Sequence, residues 1–182
     1  MKSNIKIKAI ILLSSAVLCS WIVMEDDSPD FLKSEVSEIE NRIQFRDSLN
    51  EDVSKVNVAW HLDHILITIN KVYQEMEQSN PETYKGNFSF GRTMMFTFNR
   101  IPRGKATSPE IVRPPEFIDE QEIRSQLELV KKYLPKFDSL PAKAHFKHPY
   151  IGVCKRKQAK KFLTIHTNHH LAIINDILKE EL

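Results

Sequence analysis

The sequence predicts an all-α fold: a four-helix bundle with a long, partly helical connection between its second and third helices, preceded by an N-terminal membrane segment. Three observations carry that reading. Apolar residues recur at three- and four-residue intervals in four separate stretches. Only 4 glycines occur in 182 residues, too few for a turn-rich all-β chain. The first 24 residues are of a different material from the rest, with lysines, then an uncharged apolar run, then acids.

That leading stretch carries Lys2, Lys6 and Lys8, then 16 uncharged residues from Ala9 to Met24, then Glu25, Asp26 and Asp27. It has the layout of a targeting segment. The run is shorter than the ~20 residues of a comfortable span, although Lys8 can snorkel to the interface. Bulky Trp21, Ile22, Val23 and Met24 occupy the place where a small-x-small cleavage site would lie. Residues 1–28 therefore read as an uncleaved signal anchor, and residues 29–182 as one folded domain. Charge bias then places the lysines in the cytoplasm and the domain outside it, on the periplasmic side of the inner membrane in a bacterium. The alternatives are secretion after cleavage, or lipidation at Cys19, where Leu18 is larger than the usual small residue.

Ser28-Pro29-Asp30 has the pattern of a helix start, and Leu32, Val36, Ile39 and Ile43 continue it to about residue 48. Asn50, Asp52 or Ser54 ends that run and caps the next, and Asn57, seven residues before His64, also stands in a good N-cap position. A second helix is expected over residues 55–78, with Val58, Leu62, Ile65, Leu66, Ile69 and Val72 inward and Asn80-Pro81 as its stop. Residues 79–118 are least regular. Phe88, Phe90, Met94, Met95, Phe96 and Phe98 read as a short helix or turn packed on the bundle. A connection this long is often functional. The third helix is expected over 119–137, with Ile123, Leu127, Val130, Leu134 and Phe137 inward. A polar connection follows, and the fourth helix is expected over 155–179.

Net charge is +2, with no clustered basic footprint of the kind nucleic-acid binding needs. The two cysteines, Cys19 and Cys154, fall in the apolar segment and the domain. They offer neither an intrachain disulfide nor a Cys-x-x-Cys zinc site. Cys154 reads as a packed thiol.

Five of the 7 histidines sit in two stretches, Trp60-His61-Leu62-Asp63-His64 and His166-Thr167-Asn168-His169-His170. His166 and His170 are four apart, so they share one helix face. They lie on the stripe of Phe162 and Ile173, which faces the core. Buried imidazoles without partners are costly, and a metal that takes a nitrogen from each removes that cost. A third imidazole from the second helix completes a three-histidine site with open coordination positions. His64 is favoured for it, and His61 is the alternative. His169 lies about 100° round the helix from its neighbours and reads as packing or support.

These residues also carry a family resemblance. Val58-Ala59-Trp60-His61-Leu62-Asp63-His64, then Ile101-Pro102-Arg103-Gly104-Lys105-Ala106 with Arg113-Pro114-Pro115, then His148-Pro149-Tyr150-Ile151-Gly152 leading to Thr164-Ile165-His166-Thr167-Asn168-His169-His170-Leu171, together resemble the DinB/YfiT-like superfamily of four-helix metalloproteins. The resemblance covers roughly residues 30–180, and is nearest to a branch with an N-terminal membrane segment. It implies a divalent metal held by His64, His166 and His170, and pairing into a homodimer. It also implies a use: activation of a small thiol for transfer, or hydrolysis.

Three imidazoles bring no charge compensation, so a bound dication stays Lewis acidic. Imidazole suits Zn, Ni, Fe or Mn and does not choose among them. Asp63 points away from His64, toward solvent or behind the ligands. Tyr150 can reach the open end of the bundle, and His148 reads as a cap or loop residue. Lys155, Arg156, Lys157, Lys160 and Lys161 form a basic cluster that reads as a solvated or lipid-facing surface, or as a dock for an anionic group. Arg100, Arg103 and Arg113 raise the same question. Two functions follow: a membrane-anchored metal-dependent transferase or hydrolase acting on a small molecule, or a non-catalytic, membrane-tethered helical binding or stress-response module.

Overall fold

A computed structural model describes residues 30–104 and 108–180. The expected membrane segment, residues 1–28, lies outside the described residues. Among those described, no helix is long and apolar enough to cross a membrane. The chain is mostly helical, with one small two-stranded sheet. In order come α1 (Lys33–Arg42), α2 (Val58–Gln78), α3 (Phe90–Phe98), α4 (Glu120–Tyr133), strands β1 (His145–His148) and β2 (Gly152–Lys155), and α5 (Arg156–Ile177).

α2 is the centre. Its apolar positions run nearly all round, and 14 of its 21 residues are buried, so it needs neighbours on several sides. It packs on α4 and α5, while α1 touches α2, α4 and α5. One apolar cluster joins all four. Asn57 caps α2, its Oδ1 accepting from the Trp60 N–H at 3.1 Å. The carbonyls of Ser48 and Arg46 take the Val58 and Ala59 N–H groups at 3.0 and 2.8 Å. Three of the four donors that a helix start leaves without an intrahelical partner are thereby satisfied. That also explains why α1 stops early: Ile43–Phe45 tighten into a 3-10 turn and the chain folds back onto the start of α2. α4 likewise ends sooner than expected, and Leu134–Ser139 form a 3-10 turn that still buries Phe137.

The polar connection before the last helix is an antiparallel hairpin. His145 pairs with Lys155, Phe146 with Cys154, Lys147 with Val153 and His148 with Gly152. Phe146 and Cys154 point into the core. Gly152 has φ 75°, and a Cβ there would run into the Asn87 side chain. Only glycine fits both conditions.

The irregular stretch departs furthest from expectation. α3 is a helix capped by Ser89, but only Met95 and Phe96 of its apolar residues pack on the core. Phe88, Phe90 and Phe98 are exposed. α3 is held instead by a polar tie. Buried Arg92 donates to the carbonyls of Ile151 (2.8 Å), Val153 (2.9 Å) and Asn87, which fixes α3 against the hairpin. A cation donating to several carbonyls is a strong anchor, because its loss orphans every acceptor.

Candidate metal centre

α2 and α5 run side by side, and their histidines meet between them. The i, i+4 spacing puts His166 and His170 one turn apart, with ring centroids 4.7 Å apart. His64 faces both, at 5.0 Å from His166 and 4.7 Å from His170. One ligand nitrogen from each of the three lies within 4.8 Å of the others, and all three residues are buried. The three can hold a metal ion.

At His64 a hydrogen bond fixes which nitrogen is free. His64 Nδ1 lies 2.7 Å from the Val112 carbonyl oxygen. A carbonyl only accepts, so Nδ1 carries the proton and Nε2 keeps its lone pair. Nε2 then points at His166 Nε2, 3.1 Å away. Ligand nitrogens on a tetrahedral zinc at the usual bond length are about 3.4 Å apart, so this pair already stands near the edge of such a polyhedron. His166 Nδ1 is buried without a hydrogen-bond partner. His170 Nδ1 is 3.0 Å from His61 Nδ1, and His61 Nε2 is 2.9 Å from Ser54 Oγ. His170 is therefore held from behind by its Nδ1, leaving Nε2 toward the centre. Trp60 stacks on His64 at 4.9 Å and an interplanar angle of 21°. An imidazole whose far nitrogen is tied to a carbonyl or a second ring has the support that metal-ligating histidines commonly have.

Burial dominates the electrostatics. It depresses His166 and His170 well below the usual histidine value, and the neighbouring imidazoles add to the effect. His64 is lowered by burial, against a raising effect from its bond to Val112. His61 falls to about 4, from burial first and then from His64, His169 and Arg103. All four are neutral at pH 7, the form that donates to a metal. The donor set thus fits a divalent cation: three neutral imidazoles whose nitrogens converge, with backbone support behind His64.

A cavity of about 520 Å³ opens onto the three histidines. Its wall is mainly α3, residues 100–104, and the hairpin turn. No carboxylate lines it among the described residues.

His64, rather than His61, joins the pair on α5. His61 stands behind His170, as a hydrogen-bonding neighbour. His169 lines the cavity and meets the Ile101 backbone. His148, expected as a cap or loop residue, is a β1 residue in the cavity wall; its Nδ1 accepts from the Tyr150 and Ile151 N–H groups. Tyr150 lines the same cavity.

Asp63 corrects one expectation. It is buried, neither oxygen has a hydrogen-bond partner, and burial with Glu122 nearby raises its pKa to about 6. The basic cluster corrects another in part. Lys160 is buried and pairs with Asp138 at 2.8 Å, and Arg156 donates to the carbonyls of Asp138 and Leu140. Those two hold α5 to the turn before the hairpin. Arg103 pairs with Asp176 at 2.7 Å, and Arg113 donates to the Ser108 carbonyl, while Arg100 faces the cavity. Cys154 is a buried thiol whose pKa burial raises.

Sequence reasoning missed Ser54 and the Val112 carbonyl. Ser54 carried a faint signal, lying seven residues before His61 at the entry to the helix. A backbone carbonyl has none. No protein-family model, no curated protein and no solved structure matches this chain.

Proposed function

We propose that this chain is a metal-dependent enzyme, a transferase or hydrolase, whose divalent ion is held by His64, His166 and His170 in a DinB-like four-helix bundle. The observation that carries the reading is the convergence of three buried neutral imidazoles at the end of a cavity without carboxylates among its described residues. When bound, a dication in such a donor set acts as a Lewis acid that acidifies a coordinated water or thiol. The chain's own residues supply the rest. Val112 and His61 hold the ligand rings, α3 and the hairpin shield the site, and the cavity admits a small molecule. The N-terminal segment would tether the domain to the outer face of the membrane. That part rests on Lys2, Lys6, Lys8 and the apolar run alone.

Loading the full chain with Co(II) tests the reading. Visible bands that shift on adding azide or a small thiol are expected, because three protein ligands leave an exchangeable position. Bands indifferent to every added ligand would mean a saturated, structural ion.

A second reading has its own support. Phe88, Phe90 and Phe98 are 81%, 69% and 58% exposed, and an apolar patch of this kind marks an interaction surface. In this reading the domain is a tethered binding module, and the metal only staples α2 to α5. Replacing Phe90 and Phe98 by serine would then abolish partner capture and leave metal content unchanged.

A further inference from the structure

The wall of the cavity indicates what enters it. Met94, Met95, Phe98, Ile101, Ile151 and Phe162 form an apolar lining between the mouth and the histidines. Polar groups along it are few and largely engaged. His148 Nδ1 already accepts two backbone N–H groups, and His169 is bonded to the Ile101 backbone. A polyol or sugar would find little to hold it. A cation would meet no acid, since none lines the cavity among the described residues. Arg100 is the one permanently charged side chain of the described lining. Of the three arginines in the long connection, Arg103 is spent on Asp176 and Arg113 on the Ser108 carbonyl, whereas no such bond to a described residue engages Arg100. The volume, about 520 Å³, falls in the range of ordinary small-molecule sites.

We propose that the cavity takes an apolar monocarboxylate, its hydrocarbon body lying along α3 and the hairpin turn and its anionic head drawn to the metal and to Arg100. This rests on the metal reading above, because the bound dication is the charge that the head meets at the histidine end of the cavity. Binding requires no covalent step. The apolar body supplies affinity in proportion to the surface it buries, and the two cations select the head.

Calorimetric titration of the zinc-loaded full chain with phenylacetate, 3-phenylpropionate and 4-phenylbutyrate tests this. One site per chain is expected, tightening by about two- to fourfold for each added methylene, the upper figure corresponding to complete burial. 3-Phenylpropylamine, with the same hydrocarbon body and the opposite charge, should bind at least about tenfold more weakly than 4-phenylbutyrate. Arg100→Glu should weaken 4-phenylbutyrate about fivefold or more with metal content unchanged. Arg100 is exposed, so that variant should fold. A chain that carries one metal ion yet binds the amine as well as the acid, or binds neither, overturns the inference and leaves the metal reading standing. A wild-type chain that takes up no metal overturns the metal reading, and this inference with it.

Discussion

Replacing Asp63 by asparagine should stabilise the fold, and by an amount that depends on pH. Asp63 is fully buried on α2, with no hydrogen-bond partner for either oxygen and Glu122 as its charged neighbour. Burial first, and then Glu122, raise its pKa from 3.8 to about 6. A raised carboxyl pKa means that the fold prefers the neutral acid. The contribution is favourable below the unfolded value and is lost as pH rises through about 6. A rise of that size corresponds to about 3 kcal/mol between about pH 3 and pH 8. Asparagine has nearly the same shape and never ionises. The stability of Asp63→Asn relative to wild type should therefore climb by about 3 kcal/mol over that range, with its midpoint near pH 5. Urea unfolding at a series of pH values reads this directly. Subtracting wild type from variant removes the histidine contributions, which have the opposite sign. A difference that stays flat with pH would refute the burial argument for Asp63.

Three further outcomes follow from the same geometry. His61→Ala should keep one metal per chain but weaken its affinity about 10- to 100-fold, since His170 loses the partner that orients it; unchanged affinity by chelator competition would remove His61 from the support. Burial lowers all the site histidines, so protons compete little until well below pH 6.5. Zinc affinity should accordingly change less than about tenfold from pH 7 to 5.5, where three free imidazoles would lose several hundredfold; a steep fall in that interval would contradict the neutral site. Gly152→Ala should lower unfolding stability by about 1–3 kcal/mol, from the left-handed backbone and the contact with Asn87, and a denaturation midpoint equal to wild type would refute that constraint.

What could be read from the sequence was what local chemistry determines. Asn57 is a good cap wherever it stands at a helix start, and the spacing of His166 and His170 forces a shared face. The apolar stripe of α2, from Val58 to Val72, is buried throughout. The hairpin was not legible, because each strand is four residues long and only Phe146 and Cys154 of its pairs face inward. Too few alternations separate that pattern from a polar loop. α3 misled in the other direction. Apolar content implied burial, yet Arg92 and its carbonyl acceptors hold the helix while its phenylalanines Phe90 and Phe98 stay largely exposed. The contacts that decide the roles of His61 and His64 bridge 109 and 102 residues, to His170 and His166. No local pattern encodes them. Asp63 departs from expectation because α4, which carries Glu122, packs on α2 and takes the place of solvent there.

The most direct measurement is the metal stoichiometry of the purified full chain by inductively coupled plasma mass spectrometry, beside His64→Ala, His166→Ala, His170→Ala and His61→Ala. About one divalent ion per wild-type chain is expected, lost in the first three variants and retained in His61→Ala. No ion after reconstitution with Zn, Ni, Fe and Mn, or an ion that survives loss of His64 or His166, would contradict the three-histidine centre.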